Sequence, residues 1–363
     1  MIYVPTKYLT DKMELARDIY IDSSYIPFLS ANQRLTNNYI KKIDEMRLPG
    51  VYIKSKFAGD IEVEEIIDPE LKRKLIKDIK AIFDSSSVEK SFTIANSKQV
   101  YGMACNIVNN ILSKDEVVFN VIEIKNHSDY LITHSMYLAV LSAIIGINMG
   151  FNSNELTDLT TAALLQDLGM VSLPKELLEK ETPLTDSEIE KIKQHPVTTS
   201  RKLRPCCSLN SQIISAVASH HERFDGTGYP YGLCGEEIPL YGRILAMADV
   251  YDALTTPKPY RRAYTPSEAI EYMMGQAGKQ FDGELLEIFL KCVTPYSIGT
   301  IVKLSNGQYG IVVKNTSYFP LRPVIRILID GDRVEEVDLA TDEKYMSITI
   351  LDKADDMDIS SFI

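Results

Sequence analysis

The chain has 363 residues, of which 45% are hydrophobic and 25% are charged, and its formal net charge is −11. This length predicts two or three domains, and the negative charge argues against nonspecific binding to nucleic acid or to an anionic membrane. Because no apolar run is as long as a membrane span and the N-terminus has no apolar core like that of a signal peptide, we expect a cytoplasmic protein.

The first segment, residues 1–90, is predicted to be a small α/β module with a regulatory role. Met1–Pro5 and Val51–Lys56 have the composition of strands. Apolar residues recur at helical spacing over 35–46 and again over 69–83, where a proline stands near the start. The segment is therefore expected to contain strands and two amphipathic helices.

Residues 91–295 are predicted to form a mainly α-helical domain. The expected helices cover residues 130–149, 154–168, 186–203, 208–222, 241–254, 266–278 and 283–292. The longest irregular connection is Phe224–Pro239, which contains four glycines and two prolines. The pattern therefore predicts a helical domain with one long loop rich in turn-forming residues.

Residues 296–351 have the composition of a small β domain. Short β-branched runs are separated by the turn sequences Asn306-Gly307 and Asp330-Gly331. The runs are Thr300–Leu304, Tyr309–Lys314, Val324–Ile329, Arg333–Asp338 and Ser347–Leu351. We expect them to form a small β-barrel, followed by an acidic and disordered tail over residues 352–363.

Histidine is scarce, and four of the five histidines belong to a spaced set with two aspartates. The set is His134, Asp167, His195, His220, His221 and Asp249. Imidazole and carboxylate ligands without thiolate favour iron, manganese, nickel, cobalt or zinc over magnesium. Paired ions bridged by a carboxylate suit phosphodiester hydrolysis. These residue types leave open both a metal site and a set of structural histidines, and His127 is interpreted as structural.

The residues from His220 to Pro230 read HHERFDGTGYP. They match the HHExxDGxGYP signature at all eight specified positions, and the chain therefore resembles the HD-GYP family. Stretches similar to those of the family follow at family spacing at Ala163–Met170, Gln194–Pro196 and Ile244–Leu254. Gly226 and Gly228 permit close approach of the backbone to a ligand.

The resemblance implies a helical HD-type phosphohydrolase domain that hydrolyses cyclic di-GMP to pGpG or GMP. It implies one or two divalent transition metal ions, with iron or manganese expected before nickel, cobalt or zinc. By position, the metal ligands of the family fall on His134, Gln166, Asp167, His195, His220, His221 and Asp249. Tyr130 stands where forms with three metals carry an extra carboxylate, so a third ion is not expected.

The resemblance also implies catalytic and substrate-binding residues. Catalytic roles fall on Asp167, Lys258 and Arg261, and the two cations are expected to contact phosphate. The residues expected to bind the substrate are Asp225, Gly226, Gly228, Tyr229, Lys258 and Arg261. A solvated basic turn over 258–262 is the competing interpretation. The expected partner is cyclic di-GMP, with a homodimer or a signalling protein as a further partner.

The name-giving His-Asp pair of the family is not intact here. Gln166 occupies the histidine position, and Met170 replaces the family lysine. A Gln amide is a weaker ligand than imidazole for these metals, and Met cannot supply a cation. Two hypotheses follow: a weak or metal-selective phosphodiesterase, or a receptor that binds cyclic di-GMP or a partner domain without turnover. A nucleotidase for another substrate is less favoured because the GYP loop is complete.

Two arginines in the β domain, Arg322 and Arg326, have the RxxxR spacing of PilZ cyclic di-GMP sites. The second part of that motif, a D/NxSxxG string, is missing from the chain. We therefore interpret the pair as two arginines on one face of a strand.

Overall fold

The computed structural model describes residues 1–20, 26–46, 48, 50–63, 65–86, 92–114, 130–178, 180, 182–206, 208–256, 263–316, 319–330, 333–353 and 362. The described residues of Met1–Ile66 and Val293–Ile363 form one compact unit. Those of Ile67–Phe119 and Tyr130–Cys292 form the other. His127, Lys258 and Arg261 lie outside the described residues.

The N-terminal part of the first unit contains two strands and a helix. Strands β1 (Ile2–Pro5) and β2 (Gly50–Ile53) pair antiparallel, and helix α1 (Asn37–Glu45) lies between them in sequence. Thr36 caps α1, because its side chain accepts a hydrogen bond from the backbone N–H of Tyr39. The expected strands and the first amphipathic helix are therefore present.

The C-terminal part of this unit is a five-stranded antiparallel sheet. Its strands are β3 (Ile301–Leu304), β4 (Tyr309–Lys314), β5 (Val324–Asp330), β6 (Arg333–Asp338) and β7 (Ile350–Lys353). The spatial order is β6-β5-β4-β3-β7, and in the described part of the chain β6 and β7 each have one neighbour. The prediction of a closed barrel is therefore wrong. Alternating apolar residues predict strands, but closure depends on strand tilt and stagger, which no local pattern encodes.

The two ends of the chain share one hydrophobic core. Buried side chains near the N-terminus pack in one cluster with Ile301, Ile311 and Phe362. The backbone N–H of Tyr3 donates to the carbonyl of Gly299 at 2.9 Å. The segments expected to be separate modules thus belong to one unit. The prediction of a disordered tail is wrong at Phe362, which is fully buried and whose carbonyl accepts a hydrogen bond from Ser55.

Both arginines of the RxxxR spacing are engaged in contacts within this unit. The Arg326 side chain is 10% exposed, forms two 2.6 Å hydrogen bonds with Asp60 and donates to the carbonyl of Phe57 at 2.8 Å. The hydrogen bond from Arg326 lowers the pKa of Asp60 to about 2. Arg322 donates to the carbonyl of Leu339 at 2.7 Å. These contacts give both arginines a structural role, but Arg322 precedes β5, so the prediction that the two lie on one face of a strand is wrong.

The second unit is helical. Its helices are α2 (Pro69–Ser85), α3 (Ile94–Leu112), α4 (Tyr130–Asn148), α5 (Ser153–Leu165), α6 (Lys175–Leu178), α7 (Asp186–Ile192), α8 (His195–Leu203), α9 (Ser211–Ser219), α10 (Leu240–Thr255), α11 (Pro266–Met274) and α12 (Gly283–Cys292). Helix α2 belongs to this unit rather than to the N-terminal module in which the sequence analysis placed it. The main helical character of the chain is confirmed.

Helix α4 is the central helix of this unit. It packs against α5, α10 and α12, and its buried residues lie on every side of the helix. By length and composition alone, α4 could cross a membrane, but 78% of its most apolar window is buried inside the protein. The core helix of a globular protein has the same properties, which explains why α4 is mostly apolar on every side.

The helix expected over 186–203 is two helices in the structure. Helix α7 ends at Ile192, and α8 begins at His195 with Pro196 in its first turn. Proline has no backbone N–H to donate, so it is tolerated where a helix begins. The break matters for the site because it places His195 at the start of a new helix.

Candidate metal centre

Six of the predicted metal ligands are brought together from five segments of the helical unit. His134 lies within α4, Asp167 follows α5, and His195 begins α8. The adjacent His220 and His221 follow the last residue of α9, and Asp249 lies within α10. Residues up to 115 positions apart in sequence, as between His134 and Asp249, thus meet at one place.

The carboxylate of Asp167 is the centre of this cluster. Its Oδ1 lies 3.2 Å from Nε2 of His195 and 3.8 Å from Nε2 of His220. Its Oδ2 lies 3.2 Å from Nε2 of His134. A carboxylate that faces imidazole nitrogens through both oxygens has the arrangement needed to bridge two ions.

Asp249 contacts His134, which it shares with Asp167, and the fourth imidazole, His221. Its Oδ1 lies 3.2 Å from Nε2 of His134, and its Oδ2 lies 3.6 Å from Nδ1 of His221. One donor atom from each of four residues lies within 4.8 Å of the others, a spacing that could hold a metal ion. The four residues are Asp167, His195, His220 and His221. Nitrogen and oxygen donors of this kind suit divalent transition metals.

Three of the imidazoles are oriented by hydrogen bonds at Nδ1. His195 Nδ1 lies 2.7 Å from the carbonyl of Ile192, and His220 Nδ1 lies 2.7 Å from the carbonyl of Val217. His134 Nδ1 lies 2.6 Å from Oδ2 of Asp252. These Nδ1 contacts turn Nε2 of each ring towards the cluster, the orientation in which Nε2 would bind a metal ion in metal-binding histidines.

The electrostatics of the centre follow from its burial and its mixed charges. Burial raises the pKa of Asp167, but hydrogen bonds from the surrounding imidazoles outweigh it and hold that pKa well below its usual value. Burial lowers the pKa of His134, but Tyr130 and the neighbouring carboxylates outweigh it and raise that pKa well above its usual value. Burial and the neighbouring His220 lower the pKa of His221 to about 3, so its ring is neutral at pH 7.

Gln166, the residue in place of the family histidine, is completely buried. Neither its amide nitrogen nor its amide oxygen has a hydrogen-bond partner among the described residues. A buried amide without hydrogen-bond partners lowers the free energy of unfolding, and a metal ion bound to its oxygen would offset part of that loss. This observation fits a metal-binding role for Gln166.

Thr199 lies on helix α8 and is hydrogen-bonded to the turn that contains Asp167. Its hydroxyl donates to the carbonyls of Gln166 at 3.0 Å and His195 at 2.9 Å, and accepts from the N–H of Gly169 at 2.7 Å. A Cβ at Gly169 would lie 2.4 Å from the carbonyl oxygen of His195, so only glycine allows this close approach. The turn and the helix therefore hold Asp167 and His195 at a set distance.

The glycine-containing loop after His221 is held by a buried carboxylate. Glu222 is 3% exposed and accepts hydrogen bonds from the backbone N–H groups of Tyr231 at 2.7 Å and Leu233 at 3.1 Å. Gly228 packs so closely that a Cβ there would lie 2.3 Å from the backbone nitrogen of Arg223. Hydrogen bonds and close packing therefore hold this loop in place beside His220 and His221.

Among the predicted substrate-binding residues of this loop, Tyr229 contacts the candidate metal centre. The ring of Tyr229 stacks on His221, with centroids 4.8 Å apart. Asp225 accepts hydrogen bonds from the backbone and hydroxyl of Thr227, and Gly226 has a positive φ of 77°. The hydrogen bonds from Thr227 lower the pKa of Asp225. The binding roles of these residues, like those of Lys258 and Arg261, stay predictions.

Three residues that support the site received no role from the sequence alone. They are Thr199, Glu222 and Asp252. Glu222 is a specified position of the HHExxDGxGYP signature, and Asp252 stands three residues after Asp249 on α10 and so shares its helix face. Thr199 acts through hydrogen bonds to backbone groups, for which side-chain spacing provides no signal.

Comparisons with known proteins agree with this geometry. Residues 117–285 match the HD domain family, and residues 301–356 match the KOW domain associated with the HD domain. The chain is 31% identical over 221 residues to the cyclic di-GMP phosphodiesterase PA4108 of Pseudomonas aeruginosa, across 61% of this chain and 53% of that protein. It is 32% identical over 185 residues to the 3'3'-cGAMP-specific phosphodiesterase 1 of Vibrio cholerae, across 51% and 42%.

A solved structure has a similar fold. Bd1817, a HDG"Y"P protein from Bdellovibrio bacteriovorus, matches with a TM-score of 0.52 at 17% identity, across 79% of this chain and 97% of that one. The chain spans 53% and 42% of the lengths of the two curated relatives. Residues 117–285 thus match the HD domain family, and the HHExxDGxGYP sequence beside the His-Asp cluster, with the sequence similarity to cyclic di-GMP phosphodiesterases, supports assignment of this part of the chain to the HD-GYP family.

Proposed function

We propose that the helical unit hydrolyses a phosphodiester bond of cyclic di-GMP, with pGpG or GMP as the product. The observation that carries this proposal is the cluster in which Asp167 faces three imidazoles, with the Tyr229 loop directly beside it. Metal ions held by the nitrogen and oxygen donors would attract a phosphate, and the neighbouring aromatic ring would stack on a base. The site therefore suits a ligand that contains both groups.

The residues that would hold one or two divalent metal ions are the six clustered side chains together with Gln166. A bound divalent ion supplies positive charge for phosphate oxygens and lowers the pKa of a water molecule. We expect iron or manganese, and an occupancy closer to one ion than two, because Gln166 is a weaker ligand than histidine. A finding of three ions would contradict the expectation from Tyr130.

The protein residues have separate tasks in this proposal. Asp167 lies between the imidazoles and would help to hold the metal ion or ions. Tyr229 offers a ring face for a base, and by the family resemblance Asp225, Gly226 and Gly228 would also contact the ligand. By the family resemblance, Lys258 and Arg261 would contact phosphate. A charge-assisted contact is worth about 1.5–3 kcal/mol, so Arg261→Ala should weaken binding at least about tenfold.

Two alternatives remain distinct from this proposal. The receptor hypothesis, in which the nucleotide binds without turnover, is motivated by Gln166 and Met170. A different cyclic dinucleotide is the second alternative, favoured by the similarity to a phosphodiesterase named as specific for 3'3'-cGAMP. Both alternatives use the same cluster and loop.

The deciding experiment combines metal analysis with turnover on protein purified without oxygen. Cyclic di-GMP, 3'3'-cGAMP and cyclic di-AMP are supplied separately, and Asp167→Asn is the matched variant. Release of pGpG or GMP by the wild-type protein, lost in the variant, supports the proposal. Metal binding and nucleotide binding without product would favour the receptor. Protein without bound transition metal under every purification condition would refute the metal-dependent reaction.

A further inference from the structure

Lys193 lies at the break between helices α7 and α8, beside the metal centre. Its backbone N–H donates to the carbonyl of Ile189 at 2.9 Å, which closes the last turn of α7. His195, which faces Asp167, follows two residues later as the first residue of α8. The break therefore places the ammonium group of Lys193 at the end of α7 and the candidate metal ligand His195 at the start of α8.

The ammonium of Lys193 lies against the aromatic ring of the loop. Its Nζ is 5.8 Å from the ring centroid of Tyr229, within the range of a cation–π contact. The same ring stacks on His221 at 4.8 Å. Lys193, Tyr229 and His221 thus form a continuous row that leads from a side chain 38% exposed to solvent into the cluster.

The present partner of Lys193 is a weakly held carboxylate. Nζ lies 2.8 Å from Oε1 of Glu190, whose side chain is 64% exposed. An exposed ion pair of this kind contributes little to stability, so an incoming anion can replace the carboxylate at small cost. A lysine ammonium has three donors and can bond a phosphate oxygen while it stays near the ring.

We infer that Lys193 is a ligand-binding residue that contacts a phosphate oxygen of the nucleotide at the Tyr229 loop. The inference rests on the proposed function for the nature of the ligand. Its physical reason is charge: the chain carries a net charge of −11, and an anionic ligand needs a cation close to where it binds. Lys193 supplies one at the outer edge of the cluster, on the ring expected to receive a base.

The test compares three variants of the full, metal-loaded chain. Lys193→Met keeps an aliphatic stem over the ring but removes the charge, and Lys193→Arg keeps the charge. Lys191→Met, at an exposed position two residues earlier on α7, removes the same charge elsewhere. Binding of cyclic di-GMP and, separately, of inorganic phosphate is measured by calorimetry at low and high salt, and metal content is measured on each sample.

We expect Lys193→Met to weaken binding of both probes at least fivefold at low salt, with a smaller difference at high salt, where the charge is screened. Lys193→Arg and Lys191→Met should stay within twofold of wild type, and metal content should be unchanged in all three. Equal binding by Lys193→Met and wild type would overturn the inference. If the wild-type chain binds phosphate through Lys193 but not cyclic di-GMP, Lys193 is an anion-binding residue, whereas the nucleotide as its ligand and the proposed function both fail. If wild type binds neither probe, both fail.

Discussion

The ring of Tyr229 stacks on the imidazole of His221, with centroids 4.8 Å apart and planes inclined by 27°. One residue belongs to the glycine-containing loop and the other to the candidate metal centre. The contact therefore joins the part of the site expected to bind the base to the part expected to bind the metal.

Loss of the Tyr229 ring should weaken nucleotide binding. Aromatic contacts contribute about 0.5–1.5 kcal/mol beyond the area that they bury, so Tyr229→Ala should bind cyclic di-GMP roughly twofold to tenfold more weakly. Tyr229→Phe retains the ring and should bind within about twofold of wild type. Calorimetry with the three proteins measures both effects. Equal losses in the two variants would show that the hydroxyl, rather than the ring, makes the contact.

Glu222 should determine whether the loop is formed. Glu222→Gln replaces one acceptor oxygen with a donor that faces a backbone N–H group of the loop. Hydrogen bonds to a charged group are worth about 1.5–3 kcal/mol, so binding of cyclic di-GMP should fall on the order of tenfold. Glu236→Gln, at an exposed position of the same loop, is the control and should have little effect. Wild-type binding by Glu222→Gln would contradict this role.

Asp252 should control metal affinity through His134. Because its carboxylate contacts Nδ1 of His134 at 2.6 Å, it orients the ring and keeps Nε2 towards the cluster. Asp252→Asn should lower metal affinity about 10–100-fold, as expected for a residue that supports a ligand. Metal titration of the apoprotein measures the change, with exposed Glu287→Gln on α12 as the control. An unchanged affinity would mean that His134 does not bind the metal.

Restoration of the family residues near Asp167 should increase activity more than changes elsewhere. In the double variant Gln166→His plus Met170→Lys, a nitrogen donor replaces the buried amide that has no hydrogen-bond partner in the described part of the chain, and a cation is added. Metal occupancy should rise first, and hydrolysis of cyclic di-GMP should rise at least tenfold, about 1.4 kcal/mol of barrier. Binding of the intact nucleotide should change less, because the Tyr229 loop is unaltered.

Two outcomes of that experiment would count against the interpretation. Turnover by the wild-type chain that the double variant cannot improve would show that Gln166 is a competent ligand. A variant that gains metal without turnover would favour the receptor. Elemental analysis and product chromatography on the same samples distinguish the two.

Arg326 should stabilise the first unit rather than bind a nucleotide. Arg326→Met leaves the carbonyl of Phe57 and the carboxylate of Asp60 without their partner and should cost about 1–3 kcal/mol of unfolding free energy. Arg333→Met, at an exposed position on β6, should cost less than about 0.5 kcal/mol. Denaturant unfolding measures both. Cyclic di-GMP binding should be unchanged in Arg326→Met, and a loss of binding in a folded variant would restore the PilZ-like interpretation.

The extents of most elements could be predicted from the sequence. Strand β4 and strand β6 have the expected bounds, and α12 covers the expected residues 283–292. The periodicity of apolar residues is local, so it reports which face of an element is buried without reference to the rest of the chain. The His and Asp residues that could bind a metal could also be named from the sequence, where they stand on predicted helices or at helix ends.

Other features depended on contacts between distant residues. The open sheet, the burial of Phe362 with residues of the N-terminus, and the break before His195 arise from packing that local periodicity does not encode. The supporting contact from Glu222 is made to backbone groups of a folded loop. Sequence by itself determined which residues could carry the chemistry. The tertiary structure alone decided which of them meet, because hydrogen bonds and ring contacts require approach within a few ångströms across long sequence separations.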